Sequence, residues 1–162
     1  MSMTDSKPAS ASRVETTHLV MPPDANGHGT AFGGIVMQWI DVAASMAAMR
    51  HARLPVVTAS VDQLNFLAPL RLGDMAVLLA RVNATFGTSL EVEVEVLSEH
   101  PTTGVRERCC DAFLTFVAVD GDGRPTRVPQ VLCETEDERA RAKQAGARRQ
   151  ARLAQRSRRG PA

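Results

Sequence analysis

Residues Thr30 to His51, which read TAFGGIVMQWIDVAASMAAMRH, decide the fold. From Ile35 to Met49 nearly every side chain is apolar, which predicts a helix that is buried on nearly all sides. The polar exceptions lie three and four residues apart and so form one stripe along the helix: Gln38, Asp41 and Ser45. A carboxylate in such a helix is costly unless a hydrogen bond, an ion pair or a solvated cleft satisfies it. Asp41 is therefore a candidate functional residue.

Two glycines stand where this helix begins. Gly33 and Gly34 permit a tight turn and leave backbone N–H groups free at the positive end of the helix dipole. The preceding loop, PPDANGHG at 22–29, contains two prolines and two glycines and brings Asn26 close to the helix start. Free backbone donors and an aspartate farther along the same helix predict an active site here.

The segments that flank the helix are predicted strands joined by tight turns, over 14–21, 56–66, 75–86, 90–96 and 105–119. The segment 90–96, LEVEVEV, alternates strictly, which predicts Val on one face and Glu in water on the other. One long helix with antiparallel strands is an α+β pattern rather than alternating βαβ. A curved sheet around the helix covers only one side of it and leaves sheet edges for a partner protomer.

Both ends of the chain are predicted to lie outside the main domain, which spans 14–132. Residues 1–13 have no apolar run, so they are predicted to be disordered and not a secretory signal. The overall net charge is +1, yet from Arg139 onward there are nine Lys or Arg and no acid. In the tail, 133–162, the capping-box pattern of Thr135 and Glu138 predicts a basic surface helix. It has no interleaved aromatics, so no nucleic-acid partner is expected.

Other residue patterns exclude several classes of site. Cys109, Cys110 and Cys133 form no C-x-x-C pattern and are expected to be reduced thiols of a cytoplasmic protein. The histidines are dispersed, so no metal site is predicted. The apolar helix lacks the roughly 18 uninterrupted apolar residues of a membrane span, and Asp41 sits inside it.

The motifs resemble those of a known family. The string PxDANxxGTxFGG at 22–34 is followed by MxWID at 37–41, VTxSVD at 57–62, FxxPxxxGD at 66–74, GxS at 87–89 and FVAVD at 116–120. Together they are similar to the signature of hotdog-fold acyl-CoA thioesterases of the YciA and brain acyl-CoA hydrolase type. The resemblance covers roughly residues 14 to 130.

This resemblance implies a hotdog fold, in which an antiparallel sheet wraps a long central helix. Family members pair two hotdogs into a continuous sheet and commonly assemble as trimers of dimers, so a hexamer is expected. Their sites combine an Asn from one hotdog with an Asp from the other, and the matching positions here are Asn26 and Asp41.

The chemistry of thioester hydrolysis predicts a role for each candidate residue. Asp41 serves as general base or as nucleophile, Asn26 orients water or the carbonyl, and the N–H groups of Gly33 and Gly34 form the oxyanion hole. The predicted substrate-binding residues are Thr58, Asn65, Phe66, Gly87, Thr88 and Ser89. Among them, the turn at 87–89 is either the site that contacts the pantetheine or phosphates of coenzyme A or a plain hairpin turn, and Asn65 and Phe66 line the same groove as that turn.

Two other functions fit the same fold. In a non-catalytic acyl-CoA-binding module, Asp41 would be structural. An enoyl-CoA hydratase or dehydratase is less favoured, because such enzymes rely on an Asp/His pair and Asp41 has no His one turn away. The expectation is an acyl-CoA thioesterase without a cofactor, since coenzyme A belongs to the substrate.

Overall fold

The computed structural model describes residues 6–159. The elements, in chain order, are β1 (Ser6–Pro8), a 3₁₀ helix (Ala9–Ser12), β2 (Val14–Leu19), a second 3₁₀ helix (Pro22–Asp24), α1 (Gly33–Ala52), β3 (Val56–Phe66), β4 (Met75–Phe86), β5 (Ser89–Glu99), β6 (Arg106–Ala118), β7 (Gln130–Leu132) and α2 (Glu136–Arg159). Five strands form an antiparallel sheet in the order β2-β4-β5-β6-β3, and β1 pairs in parallel with β7. The architecture is α+β, as predicted.

Helix α1 packs against the sheet through a face of small side chains. Ala43, Ala44, Ala47 and Ala48 are fully buried, and they let the helix lie close to the strands. The sheet side chains in the same core are larger, and the largest fully buried ones include Leu78, Leu90, Leu114 and Phe116. The helix ends at Arg53, which adopts a left-handed conformation and donates its N–H to the carbonyl of Met49.

The opposite face of α1 is not covered in the single chain. Met37, Val42 and Met49 are each between 41% and 49% exposed, as expected for a helix that one sheet covers only in part. The reason is geometric, because one sheet contacts only one side of the helix. Within residues 6–159, the edge strand β3 pairs with β6 alone and exposes half of Val57 and Val61. The described part of the chain therefore leaves both this edge and the outer face of α1 exposed.

The segment before β2 is ordered, contrary to the prediction for 1–13; residues 1–5 of that prediction lie outside the described residues. Ala9 and Ser12 are buried, and the Ser12 hydroxyl lies 2.9 Å from Nδ1 of the buried His51. The other ring nitrogen, Nε2, lies 3.0 Å from the carbonyl of Pro129. That carbonyl can only accept, so Nε2 carries the proton and Nδ1 accepts from Ser12. Burial lowers the pKa of His51, which keeps the ring neutral.

Helix α2 lies across the outer face of the sheet, the face that points away from α1. Glu91 and Glu93 of β5 were predicted to face water, but they are only 2% and 4% exposed. The guanidinium of Arg148 donates to both carboxylate oxygens of Glu91, at 2.8 and 3.0 Å, and Arg141 pairs with Glu93. The predicted basic surface helix therefore forms, and buried ion pairs hold it against the sheet.

A third arginine of α2 joins the helix to the edge strand. Arg152 donates to Oδ2 of Asp62 at 2.8 Å, and Asp62 also accepts hydrogen bonds from Ser60 and Thr115. Although burial acts to raise it, these hydrogen bonds hold the pKa of Asp62 below its usual value. Arg141, Arg148 and Arg152 share one face of α2, and we call them the arginine row. Arg148 also lies 3.7 Å from the centre of the Phe113 ring.

We expect Arg148→Ala to lower the free energy of unfolding by about 3–5 kcal/mol, because it leaves the buried carboxylate of Glu91 without its partner. The measurement is urea unfolding at one fixed protein concentration. Arg139→Ala is the matched control, since Arg139 is an exposed arginine of the same helix without an ion pair within residues 6–159, and it should cost no more than about 0.5 kcal/mol.

A charge-free double variant separates the loss of the pair from the loss of packing. Glu91→Gln combined with Arg148→Met should recover most of the stability that Arg148→Ala loses. Equal unfolding free energies for Arg148→Ala and Arg139→Ala would show that the buried pair does not hold α2 to the sheet.

Candidate active site

Asn26 organises the loop that leads into α1. Its side-chain oxygen accepts from the N–H groups of His28 and Thr30, at 2.9 and 3.3 Å, and its Nδ2 donates to the Thr30 hydroxyl at 2.9 Å. The N–H of Phe32 donates to the carbonyl of Asp24 at 2.8 Å and closes the loop onto the helix start. These are Asx-turn contacts, so in one chain the Asn26 side chain is engaged by its own loop.

The first two N–H groups of α1 are free donors. The carbonyl of Phe32 accepts hydrogen bonds from the N–H groups of Ile35 and Val36. The N–H groups of Gly33 and Gly34, by contrast, have no acceptor within residues 6–159. A Cβ on Gly34 would lie 2.6 Å from the Phe32 ring, so this position requires glycine unless that ring moves. The free donors lie at the positive end of the helix dipole, where negative charge is stabilised.

Asp41 is held by Thr58. The Thr58 hydroxyl donates to Oδ1 of Asp41 at 2.8 Å, and within the described part of the chain the other carboxylate oxygen makes no hydrogen bond. Thr58 was predicted to bind substrate, and the structure places it against the candidate catalytic carboxylate. Sequence reasoning did not find this pair, although both residues lie in the motifs at 37–41 and 57–62.

The structure does not bring Asp41 together with the free donors of the same chain. An α-helix rises about 1.5 Å per residue, so Gly33 and Asp41 lie about 12 Å apart along α1. One thioester carbonyl cannot contact both. Asn26 likewise lies in the loop before Gly33 and makes no hydrogen bond with Asp41. Within one chain, therefore, Asp41, Asn26 and the free N–H groups do not form a single site.

A cavity of about 410 Å³ opens beside Gly33. Its lining is mostly apolar and includes Val36, Phe66, Leu70 and Cys110. Burial raises the pKa of Cys110 to about 12, so the thiol stays protonated and serves as apolar lining rather than as a nucleophile.

Asn65 does not share this cavity with Phe66, so the prediction of one groove lined by both is wrong for a single chain. Nδ2 of Asn65 donates to Oδ1 of Asp111 at 2.9 Å. Consecutive strand residues point to opposite faces, and Asn65 points to the outer face while Phe66 points toward the cavity.

The predicted coenzyme A turn lies at the other end of the sheet. Ser89 is in register with Val117, and Val117 is in register with Val57, the residue before Thr58. The cavity lies at the opposite end of β3, where Phe66 pairs with Cys110. Gly87, Thr88 and Ser89 therefore lie on the Asp41 side of the chain, away from Gly33.

Residues 6–159 contain no group of three or more His, Cys, Asp or Glu side chains that is placed to hold a metal ion. None of their helices is long and apolar enough to cross a membrane.

Comparison with known proteins places the chain in a family. The model of the thioesterase superfamily matches residues 28–105. An uncharacterized acyl-CoA thioester hydrolase of Bacillus subtilis (strain 168) is 46% identical over 127 residues, which are 78% of this chain and 74% of that protein. The chain belongs to the thioesterase superfamily. The cytosolic acyl coenzyme A thioester hydrolase of Rattus norvegicus is 38% identical over 134 residues, and the match covers 82% of this chain but only 35% of that longer protein.

Solved structures of this superfamily confirm the hotdog fold. A hexameric acyl-CoA thioesterase in its apo form superposes with a TM-score of 0.90 at 44% identity, over 93% of this chain and 96% of that one. An acyl-CoA hydrolase from Staphylococcus aureus was solved in complex with butyryl coenzyme A, coenzyme A and coenzyme A disulfide. It superposes with a TM-score of 0.87 at 37% identity, over 93% of this chain and 92% of that one.

Variants of the Staphylococcus aureus enzyme have also been solved. An asparagine, an aspartate and a threonine were each replaced by alanine. These three positions have the same spacing along that chain as Asn26, Asp41 and Thr58 have along this one.

We expect Thr58→Val to lower kcat for thioester hydrolysis by about tenfold or more, because the Asp41 carboxylate loses the hydrogen bond that orients it. Thr58→Ser is the matched control, since it keeps the hydroxyl and should retain most of the activity. Steady-state kinetics on one acyl-CoA measures both. Equal activities of the Val and Ser variants would show that the hydroxyl does not orient Asp41.

Proposed function

We propose that the protein is an acyl-CoA thioesterase, which hydrolyses acyl-CoA to a free fatty acid and coenzyme A. The observation that carries this proposal is the Asp41 carboxylate, fixed at one oxygen by Thr58 and free at the other. The identically spaced residues of the Staphylococcus aureus hydrolase support the same assignment. Water is the second substrate, and the proposed reaction uses no resident cofactor.

In the general-base route, Asp41 takes a proton from water as the water oxygen attacks the thioester carbonyl carbon. The N–H groups of Gly33 and Gly34 stabilise the oxyanion that forms, and Asn26 orients the water or the carbonyl. Collapse of the intermediate breaks the C–S bond, and the thiolate of coenzyme A takes up the proton. In the nucleophilic route, Asp41 attacks the carbonyl carbon itself, and the C–S bond breaks to release the coenzyme A thiolate. Water then cleaves the anhydride, which regenerates the Asp41 carboxylate and supplies the proton that the thiolate takes up. Single turnover in ¹⁸O-labelled water distinguishes the routes, because only anhydride cleavage at the Asp41 carbonyl can place label in the enzyme.

We assign the complete site to two chains. If two copies pair their β3 edges in antiparallel fashion about a twofold axis, the Thr58 end of one strand lies beside the Phe66 end of the other. Asp41 of one copy then approaches Gly33 and Asn26 of the second, which bridges the separation of about 12 Å within one chain. The exposed Val57 and Val61 on that edge support this pairing.

We further propose that three such dimers form a hexamer, since the apo thioesterase with the same fold is hexameric. The cytosolic relative supports a cytoplasmic location. The acyl chain would occupy the apolar cavity beside Gly33, with its thioester carbonyl at the free N–H groups. No nucleic-acid partner is proposed for the basic tail, because its arginine row pairs with carboxylates of the same chain.

The activity test is the release of free thiol from a panel of acyl-CoAs of increasing chain length. We expect Asp41→Ala to lower kcat by at least ~10²-fold while the variant stays folded, because the base or nucleophile is lost. Asp41→Asn is the isosteric control, since it can still accept from Thr58 but does not titrate. Binding of acyl-CoA without thiol release by the wild type would favour a binding module, and hydration of enoyl-CoA without thiol release would favour a hydratase.

Mixing two inactive variants tests the shared site. We expect Asn26→Ala and Asp41→Ala protomers, unfolded and refolded together, to recover part of the activity, because mixed dimers contain one intact site. Each variant refolded alone is the control. If mixed dimers are shown to form by mass spectrometry and no activity returns, the two residues act within the same chain's site.

A further inference from the structure

Helix α2 is longer than the sheet that it crosses. It begins at the β2 side, where the guanidinium of Arg13 lies 3.4 Å from the carboxylate of Glu138, and it reaches the β3 edge at Arg152, which pairs with Asp62. The axis from Glu138 to Arg152 measures about 21 Å at the usual helical rise. Four strand spacings separate β2 from β3, so the sheet is about 19 Å wide. At Arg152 the helix has therefore crossed the whole sheet.

The helix continues past this edge for roughly another 10 Å, to Arg159. We call residues 153–159 the overhang. The side chains at 153–158 are exposed, and neither Arg156 nor Arg158 forms an ion pair within residues 6–159. Helical turns gain most of their stability from packing against another surface, and the chain's own sheet ends before the overhang begins.

The proposed pairing of two β3 edges places a second chain beneath the overhang. In that arrangement the Thr58 end of one strand lies beside the Phe66 end of the other, so the twofold axis passes near Asp62, halfway between them. Because Arg152 contacts Asp62, the helix crosses the interface close to this axis. The β3 strand of the second copy lies about 5 Å beyond the edge and its β6 about 10 Å beyond, which is the reach of the overhang.

The position of α2 along the strands decides which half of the second sheet the overhang meets. Arg148 donates to Glu91, and the cross-strand row of Glu91 ends at Ser60 in β3. Ser60 precedes Asp62, so the helix passes the axis on the N-terminal side of β3. The twofold axis turns that side toward the C-terminal half of the other β3, where Asn65 points to the outer face.

The outer face of that half carries a surplus of negative charge. Asn65, Asp111 and Glu95 stand in one cross-strand row, and Asn65 donates to Asp111. The carboxylates of Asp111 and Glu95 share one cation, Arg108, at 3.3 and 3.4 Å, while the arginine row pairs with other carboxylates. Both side chains are partly exposed, at 18% and 24%. Two carboxylates with one cation are complementary to the unpaired arginines of the overhang.

We propose that the overhang binds the outer face of a second copy of the chain, with Arg156 and Arg158 beside the Asp111 and Glu95 of that copy. This inference rests on the proposed function, because the two-chain site there pairs the chains through β3. Twofold symmetry makes the contact occur twice in each dimer. The two helices then hold together, on the outside, the chains whose inner faces provide Asp41 and Gly33.

The first test measures subunit exchange between isotopically light and heavy protein by native mass spectrometry at low salt. We expect Arg156→Gln combined with Arg158→Gln to exchange subunits about fivefold faster or more, because each dimer loses two sets of complementary charges. Arg139→Gln combined with Lys143→Gln is the matched control, since it removes the same charge from exposed positions above the chain's own sheet, and it should exchange like the wild type. Equal exchange rates for the two double variants would overturn the proposal.

Cross-linking tests the contact itself. Arg158→Lys places an amine on the overhang, and a carbodiimide joins amines to carboxylates that touch them. In mixed light and heavy protein, we expect position 158 to be linked to Asp111 or Glu95 of the other chain. Links only within one chain, or none, would overturn the proposal even if thiol release from acyl-CoA is normal. A wild type that releases no thiol, with the link between chains present in the variant, would refute the proposed hydrolysis and leave this contact standing.

Discussion

The structure depends on one constraint, which is that a single sheet covers only one side of an apolar helix. The small residues of α1, including Ala43 and Ala47, face the sheet, where they allow close packing. The larger Met37, Val42 and Met49 face outward and stay nearly half exposed. Burial of such apolar surface stabilises a protein by roughly 25 cal/mol per Å², which supports the proposed pairing with a second copy of the chain. The exposed β3 edge next to it adds unpaired backbone groups that favour the same contact.

Helix α2 covers the other face of the sheet mainly through ion pairs rather than through apolar contacts. The arginine row of α2 lies over Glu91, Glu93 and Asp62, so each buried carboxylate meets a guanidinium. Such pairs are weak evidence for stability, because removing both ions from water costs nearly as much as the attraction returns. They do fix where the helix lies, since a shift of one residue would leave a carboxylate buried and unpaired.

The sequence allowed the helix and the long strands to be predicted, because these depend on local periodicity, and its motifs supplied the candidate site residues. Most of the expectations that failed concern contacts between remote segments. Alternation in 90–96 shows which residues share a face, but not that α2 covers that face. Residues 6–13 look unstructured because their order comes from β7 and from His51 rather than from an apolar run. Asn65 and Phe66 are neighbours in sequence, and the strand separates them. The exposed face of α1 was expected, because one sheet covers only part of the helix.

The edge strand connects these two faces of the molecule. Strand β3 has register shifts between Thr58 and Ser60 and again between Val61 and Gln63. Each shift changes which side chains point toward α1, so Thr58 can reach Asp41 on the inner face while Asp62 turns to the outer face. Asp62 is then fixed by Thr115 and by Arg152 of α2. The carboxylate–arginine contact on the outside thereby holds the irregular strand whose inner side contacts Asp41, the proposed catalytic residue. The basic tail, although it contacts neither Asp41 nor Gly33, is part of the framework that sets the geometry of the site.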